Sequence, residues 1–113
     1  MQRVYSRRTV VARAAASAVV LSALPLRAQD PVTHEVQIKA FKFDPKVVQV
    51  QVGDTIRWTN QDLAPHTATA DEFGWDTEEI AKGETGEVVV TEDMETSYFC
   101  AFHTHMKGTI EIL

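Results

Sequence analysis

The most constraining feature of this chain is a period of two. Val36, Ile38 and Ala40 alternate with Glu35, Gln37 and Lys39, and Val48, Val50 and Val52 alternate with Gln49 and Gln51. Ile56 and Trp58 share one face of Thr55 to Thr59. Strand side chains point alternately to opposite faces, so such runs bury one face and wet the other. Phe41, Phe43 and Pro45 form a turn-like junction, and Gly53-Asp54 and Asn60-Gln61-Asp62 break the pattern again. Ala64-Pro65 leads into a fourth short alternation from His66 to Ala70, with proline at the edge where a strand tolerates it. Glu87 to Thr91, Thr96 to Cys100 and Gly108 to Leu113 add three more. Seven short strands with frequent turn signals predict an all-β sandwich or barrel. Asp71 to Gly86 is the least regular part; Asp76 and Glu79 have capping-box spacing, which allows one helical turn over 77–82, closed by Gly83.

Residues 1–28 have a different character. Arg3, Arg7 and Arg8 precede an apolar run from Ala14 to Leu24, and Pro25 and Ala28 suit a cleavage zone. Ser6-Arg7-Arg8-Thr9-Val10-Val11 has the twin-arginine form of bacterial Tat export, and the apolar run is too short to span a bilayer. The expectation is a signal peptide over 1–28, a single domain over 29–113, a periplasmic location and no stable membrane insertion after cleavage. All 16 acidic residues but only six of the 11 basic ones lie beyond residue 28, a balance of −10. That charge argues against nucleic acid and anionic membrane surfaces, and it can steer a cationic partner.

A lone cysteine cannot form a disulfide within the chain, and an exposed thiol is a liability in an oxidising compartment. Cys100 is therefore either buried and inert or capped. It lies in Tyr98-Phe99-Cys100-Ala101-Phe102-His103-Thr104-His105-Met106, three residues before His103 and six before Met106. Thiolate with imidazole suits zinc or copper, and a thioether shifts the choice towards copper. Two His, one Cys and a long axial Met make the blue-copper set; His66 is the natural second histidine. His105 adjoins Met106, and neighbours in an extended segment point apart, so an inward Met106 leaves His105 outward. His34 reads as a solvated strand residue, and Trp58 and Phe43 as core. Asp71, Glu72, Asp76, Glu78 and Glu79 are either a docking patch or a solvated loop.

With these motifs in place, the chain resembles the cupredoxins, specifically the small amicyanin- and plastocyanin-like blue copper proteins. The resemblance rests on Val52-Gly53-Asp54-Thr55-Ile56-Arg57-Trp58-Thr59-Asn60, Ala64-Pro65-His66-Thr67, Trp75-Asp76-Thr77 with Ile80 and Gly83, and Tyr98 to His103 with Met106-Lys107-Gly108. It implies a Greek-key β-sandwich binding one copper ion that cycles between Cu(I) and Cu(II). It also implies His66, Cys100 and His103 as equatorial ligands and Met106 as the weak axial one. Two positions depart from the family pattern. Phe102 stands where proline is common, which frees an N–H that could reach the Cys100 sulfur. Thr67 stands where asparagine is common, and its shorter hydroxyl is not one to count on for pinning the ligand loop. Both touch the surroundings of the ligands, which tune potential and rigidity.

The function implied is one-electron transfer between larger redox proteins, with a basic c-type cytochrome or a dehydrogenase or oxidase as partner and the protein itself a monomer. The alternative is a copper-binding or delivery protein without a carrier role. An enzyme is disfavoured, because no general base, nucleophile or second metal centre stands out in the sequence.

Overall fold

The computed structural model describes residues 30–113; the expected signal segment lies outside the described residues. Eight strands run in the order β1 (Thr33–Lys39), β2 (Lys42–Asp44), β3 (Val47–Val50), β4 (Thr55–Asn60), β5 (Thr69–Ala70), β6 (Thr85–Val89), β7 (Ser97–Cys100) and β8 (His103–Ile112). They form two four-stranded sheets, β2-β1-β4-β6 and β3-β8-β7-β5. The β1–β4 and β3–β8 pairs are parallel and the others antiparallel. From β2 to β7 every connection passes from one sheet to the other, which decides the sandwich-or-barrel alternative of the alternating pattern for a sandwich and agrees with the Greek key that the resemblance implies.

The alternation places the core as expected. Val36, Ile38, Ile56 and Trp58 are fully buried, and Val48, Val50 and Ile110 face them from the second sheet. Burying an aliphatic or aromatic side chain of this size contributes about 1.5–3 kcal/mol each. Trp58 Nε1 donates to the Tyr98 hydroxyl at 3.2 Å, so the aromatic pair that joins the sheets leaves no indole N–H unpaired. Burial pushes the Tyr98 hydroxyl up to about 12, an effect the Trp58 hydrogen bond partly offsets. Gly108 lies under the Tyr98 ring, and a methyl group there would overlap the ring.

Four details differ from the reading of the sequence. The Phe41–Pro45 junction contains a strand of its own, because Ala40 and Phe41 make a tight reversal (φ 54° and 58°) that pairs Lys42–Asp44 with β1. The described residues therefore hold eight strands rather than seven. The fourth strand shrinks to Thr69–Ala70, and the last begins at His103 rather than Gly108. No helical turn forms over 77–82. Ile80 instead exchanges backbone hydrogen bonds with His66 (2.8 and 3.1 Å), Thr77 N–H reaches Ala68 O at 3.0 Å, and Glu78 has a positive φ of 65°. Asp76 Oδ1 does bind the Glu78 amide at 2.8 Å, but it also accepts from Thr69 Oγ1 at 2.9 Å, which ties the segment to β5 instead of starting a helix.

Candidate metal centre

Cys100 ends β7 and His103 begins β8, separated by the two-residue turn Ala101-Phe102, so the hairpin sets the two residues opposite each other. This explains the Cys-x-x-His spacing physically. His66 arrives from the 61–68 loop, whose continuation as β5 pairs with β7 at Thr69–Phe99. The Cys100 Sγ then lies 3.6 Å from His66 Nδ1 and 3.5 Å from His103 Nδ1. Among the described residues these three form the one group of His, Cys, Asp or Glu side chains close enough to share a metal ion. Cys100 and His66 are fully buried and His103 is half-buried. Met106 is buried three residues further along β8, while His105 is exposed, in line with the outward reading.

The donor set fits a metal. Imidazole and thiolate ligands held about 2.1 and 2.3 Å from one ion, as at zinc, lie about 3.6 Å apart when the angle between them is near 110°. The two sulfur–nitrogen distances match that separation without rearrangement. A thiolate and two imidazoles beside a buried thioether form a soft donor set suited to copper.

The surrounding residues hold this geometry. Thr67 does pin the ligand loop, contrary to the expectation from its short side chain. Its Oγ1 accepts the Ala101 N–H at 2.8 Å, and the same oxygen lies 2.8 Å from Thr69 Oγ1. Thr69 uses its proton on Asp76, so the chain runs in one direction: Ala101 amide, Thr67 hydroxyl, Thr69 hydroxyl, Asp76 carboxylate. The Thr67 amide also donates to the Cys100 sulfur at 3.4 Å. The sequence pointed to the Phe102 amide for that role, but no hydrogen bond from it to the sulfur occurs among the described residues. The facing loop already presents its own N–H there, and Phe102 turns half-exposed beside His103.

Asp62 escaped the sequence reading. Its Oδ2 lies 2.9 Å from His66 Nε2, and its carboxylate accepts the Ala40 and Phe41 amides at 2.8 and 2.9 Å. Burial pushes its pKa up, and the Phe41 and Ala40 amides together with His66 more than offset that, leaving the carboxyl below the ordinary carboxylate range. A proton on His66 Nε2, donated to this carboxylate, leaves Nδ1 as the free lone pair facing the sulfur. The reversal that Asp62 holds places the Phe41 ring edge-on to both imidazoles, at 5.0 Å from His66 and 4.7 Å from His103. Asn60, fully buried, ties down the same loop through Ala64 O, Ile80 O and the Asp62 amide. The available signal was an Asp four residues before a candidate ligand, in a stretch read only as a strand break.

A family model described as a cupredoxin-like domain matches residues 11–112. The chain belongs to the cupredoxin-like family. Among solved structures, the cupredoxin resembles a Cu-containing nitrite reductase from Thermus scotoductus at 27% identity and a TM-score of 0.66, over 84% of this chain and 25% of that one. It spans only a quarter of that enzyme. It also resembles amicyanin from Paracoccus versutus (23% identity, TM-score 0.63, covering 72% of this chain and 81% of that one). A purple cupredoxin from Nitrosopumilus maritimus matches at 22% identity and a TM-score of 0.63, over 71% of this chain and 99% of the other. At those two identities the likeness is one of fold. Family and donor set together make one copper ion the cofactor of this cupredoxin.

Proposed function

We propose that His66, Cys100 and His103 bind the copper ion equatorially, that Met106 is its weak axial ligand, and that the protein is a blue copper electron carrier. The observation that carries this reading is the placement of the Cys100 sulfur 3.5–3.6 Å from two Nδ1 atoms in a shielded site. Copper supplies a one-electron Cu(II)/Cu(I) couple. The chain supplies the rest. Its sandwich fixes the donors in advance, so little has to move between oxidation states. Asp62 orients His66, the Thr67 amide donates to the sulfur, and Phe41 covers both imidazoles. His103 is the one candidate ligand that reaches the surface, among the exposed side chains of Phe41 and Phe102. An electron therefore has its shortest route in and out through that ring, to a redox-protein partner docked over it.

A carrier acting alone in this way is not an enzyme, and the nitrite reductase likeness reaches only part of a larger chain. The basic and apolar character of residues 1–28 supports export to the periplasm, with 29–113 as the working domain. Copper delivery is the competing function, but a thiolate enclosed at zero exposure is poorly placed to release its metal. The deciding experiment loads the protein with copper and measures electron self-exchange alongside copper transfer to a chelating acceptor. Fast reversible exchange with retained copper supports the carrier. Ready transfer with sluggish redox cycling overturns it.

A further inference from the structure

The charge of this domain is not spread evenly, and its topology sorts it to opposite sides of the metal centre. One side of the sandwich is formed by β2 and β3, the edge strands of the two sheets, joined through Pro45 and Lys46. The other side is formed by β5 and β6 and the segment between them, which carries Asp71, Glu72, Asp76, Glu78, Glu79 and Glu84. Of the six basic residues beyond residue 28, Lys39 and Lys42 pair across the β1–β2 reversal, and Lys46 directly precedes β3. Lys42, Lys46 and Lys107 line one cavity of about 410 Å³ together with Phe41, His105 and Met106. Two of those lining residues belong to the centre itself: the Phe41 ring touches both imidazoles, and Met106 is the candidate axial ligand.

These lysines are not neutralised locally. Among the described residues none of the three takes part in an ion pair, whereas Arg57, on the β4 strand, is bound by Glu35 and Glu87. The Lys107 ammonium lies over the Phe99 ring at 5.4 Å, a contact that leaves its charge uncompensated. Asp44, on the same face of β2 as Lys42, pairs with none of them and does not line the cavity. The cavity beside the site is therefore lined by three lysines and by no carboxylate, in a domain whose total is strongly negative.

From this charge separation we infer that the electron-exchange face is cationic and that its partner is a redox protein presenting carboxylates around its own electron port. This rests on the carrier reading and reverses the partner charge that composition alone implies. Exposed charges act over about a Debye length, ~8 Å at physiological ionic strength, so a small probe at the site feels the lysines more than the distant acidic side. A partner with an acidic ring would also be turned by the dipole so that its port meets Phe41 and His103.

The test uses copper-loaded protein in its reduced state and hexacyanoferrate(III) as an anionic probe. One electron passes from Cu(I) to the probe, giving Cu(II) and hexacyanoferrate(II). Stopped-flow rates are followed from low to high salt. A local cationic face predicts attraction, so the rate falls as salt rises, by roughly tenfold. Control by the net charge predicts repulsion and a rate that rises with salt, which would overturn the proposal. Lys42→Glu combined with Lys46→Glu should reverse the slope, while Lys82→Glu, on the acidic side, should change it little. Effects in proportion to the charge changed, the double variant twice the single one, would show that only total charge matters. Reversible voltammetry of each variant reports separately on the copper centre, so failure of the docking proposal is distinguishable from failure of the carrier reading.

Discussion

Replacing Asp62 by asparagine tests how strongly the protein sets its own redox balance. The side chain keeps its shape but loses its charge and one acceptor. Whichever way the new amide points, an NH₂ group faces either the Ala40 amide or both the Phe41 amide and His66 Nε2–H. The electrostatic part can be worked out. Cu(II) carries one more positive charge than Cu(I), and the carboxylate favours the oxidised state by its interaction with that charge. The 2.9 Å contact, the width of the imidazole and a metal–nitrogen bond of about 2.0 Å place the carboxylate about 7 Å from a metal on Nδ1. At an effective dielectric of about 20 the interaction is about 2 kcal/mol. At about 59 mV per tenfold for one electron, that is roughly 90 mV. Asp62→Asn should therefore raise the reduction potential by about that amount. The assay is voltammetry of both proteins at one pH, with the absorption spectrum checked to show an intact site. An unchanged or lowered potential with an intact spectrum would refute the idea that the carboxylate acts on the metal through His66.

Three further outcomes follow from the same packing. Thr67→Val removes the acceptor for the Ala101 amide inside a nearly closed region and should cost about 1–3 kcal/mol, whereas Thr67→Ser should cost little; equal melting temperatures for the valine variant and the parent would contradict this. Gly108→Ala forces a methyl group into the Tyr98 ring and should cost about 1–3 kcal/mol, which lowers the melting temperature by about 4–8 °C per kcal/mol in a domain of this size; a melt matching the parent would contradict it. Asp54 accepts hydrogen bonds from His34, Val32 and Gln51, which hold its carboxyl below the ordinary carboxylate range. Its contribution is thus fully present above pH 3.8 and lost as pH falls through the lower folded value, so the stability gap to Asp54→Asn should narrow only in that acid range. A gap that stays constant into strong acid would refute it.

The parts of this molecule legible from sequence are those governed by short-range periodicity. Val36, Ile38, Ile56 and Trp58 announce their burial by alternation, and Cys100, His103 and Met106 announce a donor run by their spacing, although the strand after Cys100 begins at His103 rather than Gly108. What was not legible depends on long-range pairing. The capping-box spacing of Asp76 and Glu79 is a local signal, but the backbone of 77–80 is already engaged by Ala68 and His66, and the tertiary partner wins. The Ala40-Phe41 reversal contains no glycine to mark it; it is held by a carboxylate 21 and 22 residues away. The sulfur's donor lies not two residues along the chain at Phe102 but 33 residues away, at Thr67. Charge behaved similarly. The sum was readable from composition, but its separation to opposite sides needed the strand order.

The central claim is that Cys100 serves as a thiolate ligand to copper with His66 and His103 beside it. The most direct measurement is the visible absorption of the protein loaded with copper(II), compared with its Cys100→Ser variant. The account predicts an intense blue band from thiolate-to-copper charge transfer, absent from the serine variant. A copper complex of the unmutated protein with only the weak absorption of tetragonal nitrogen and oxygen coordination would contradict it.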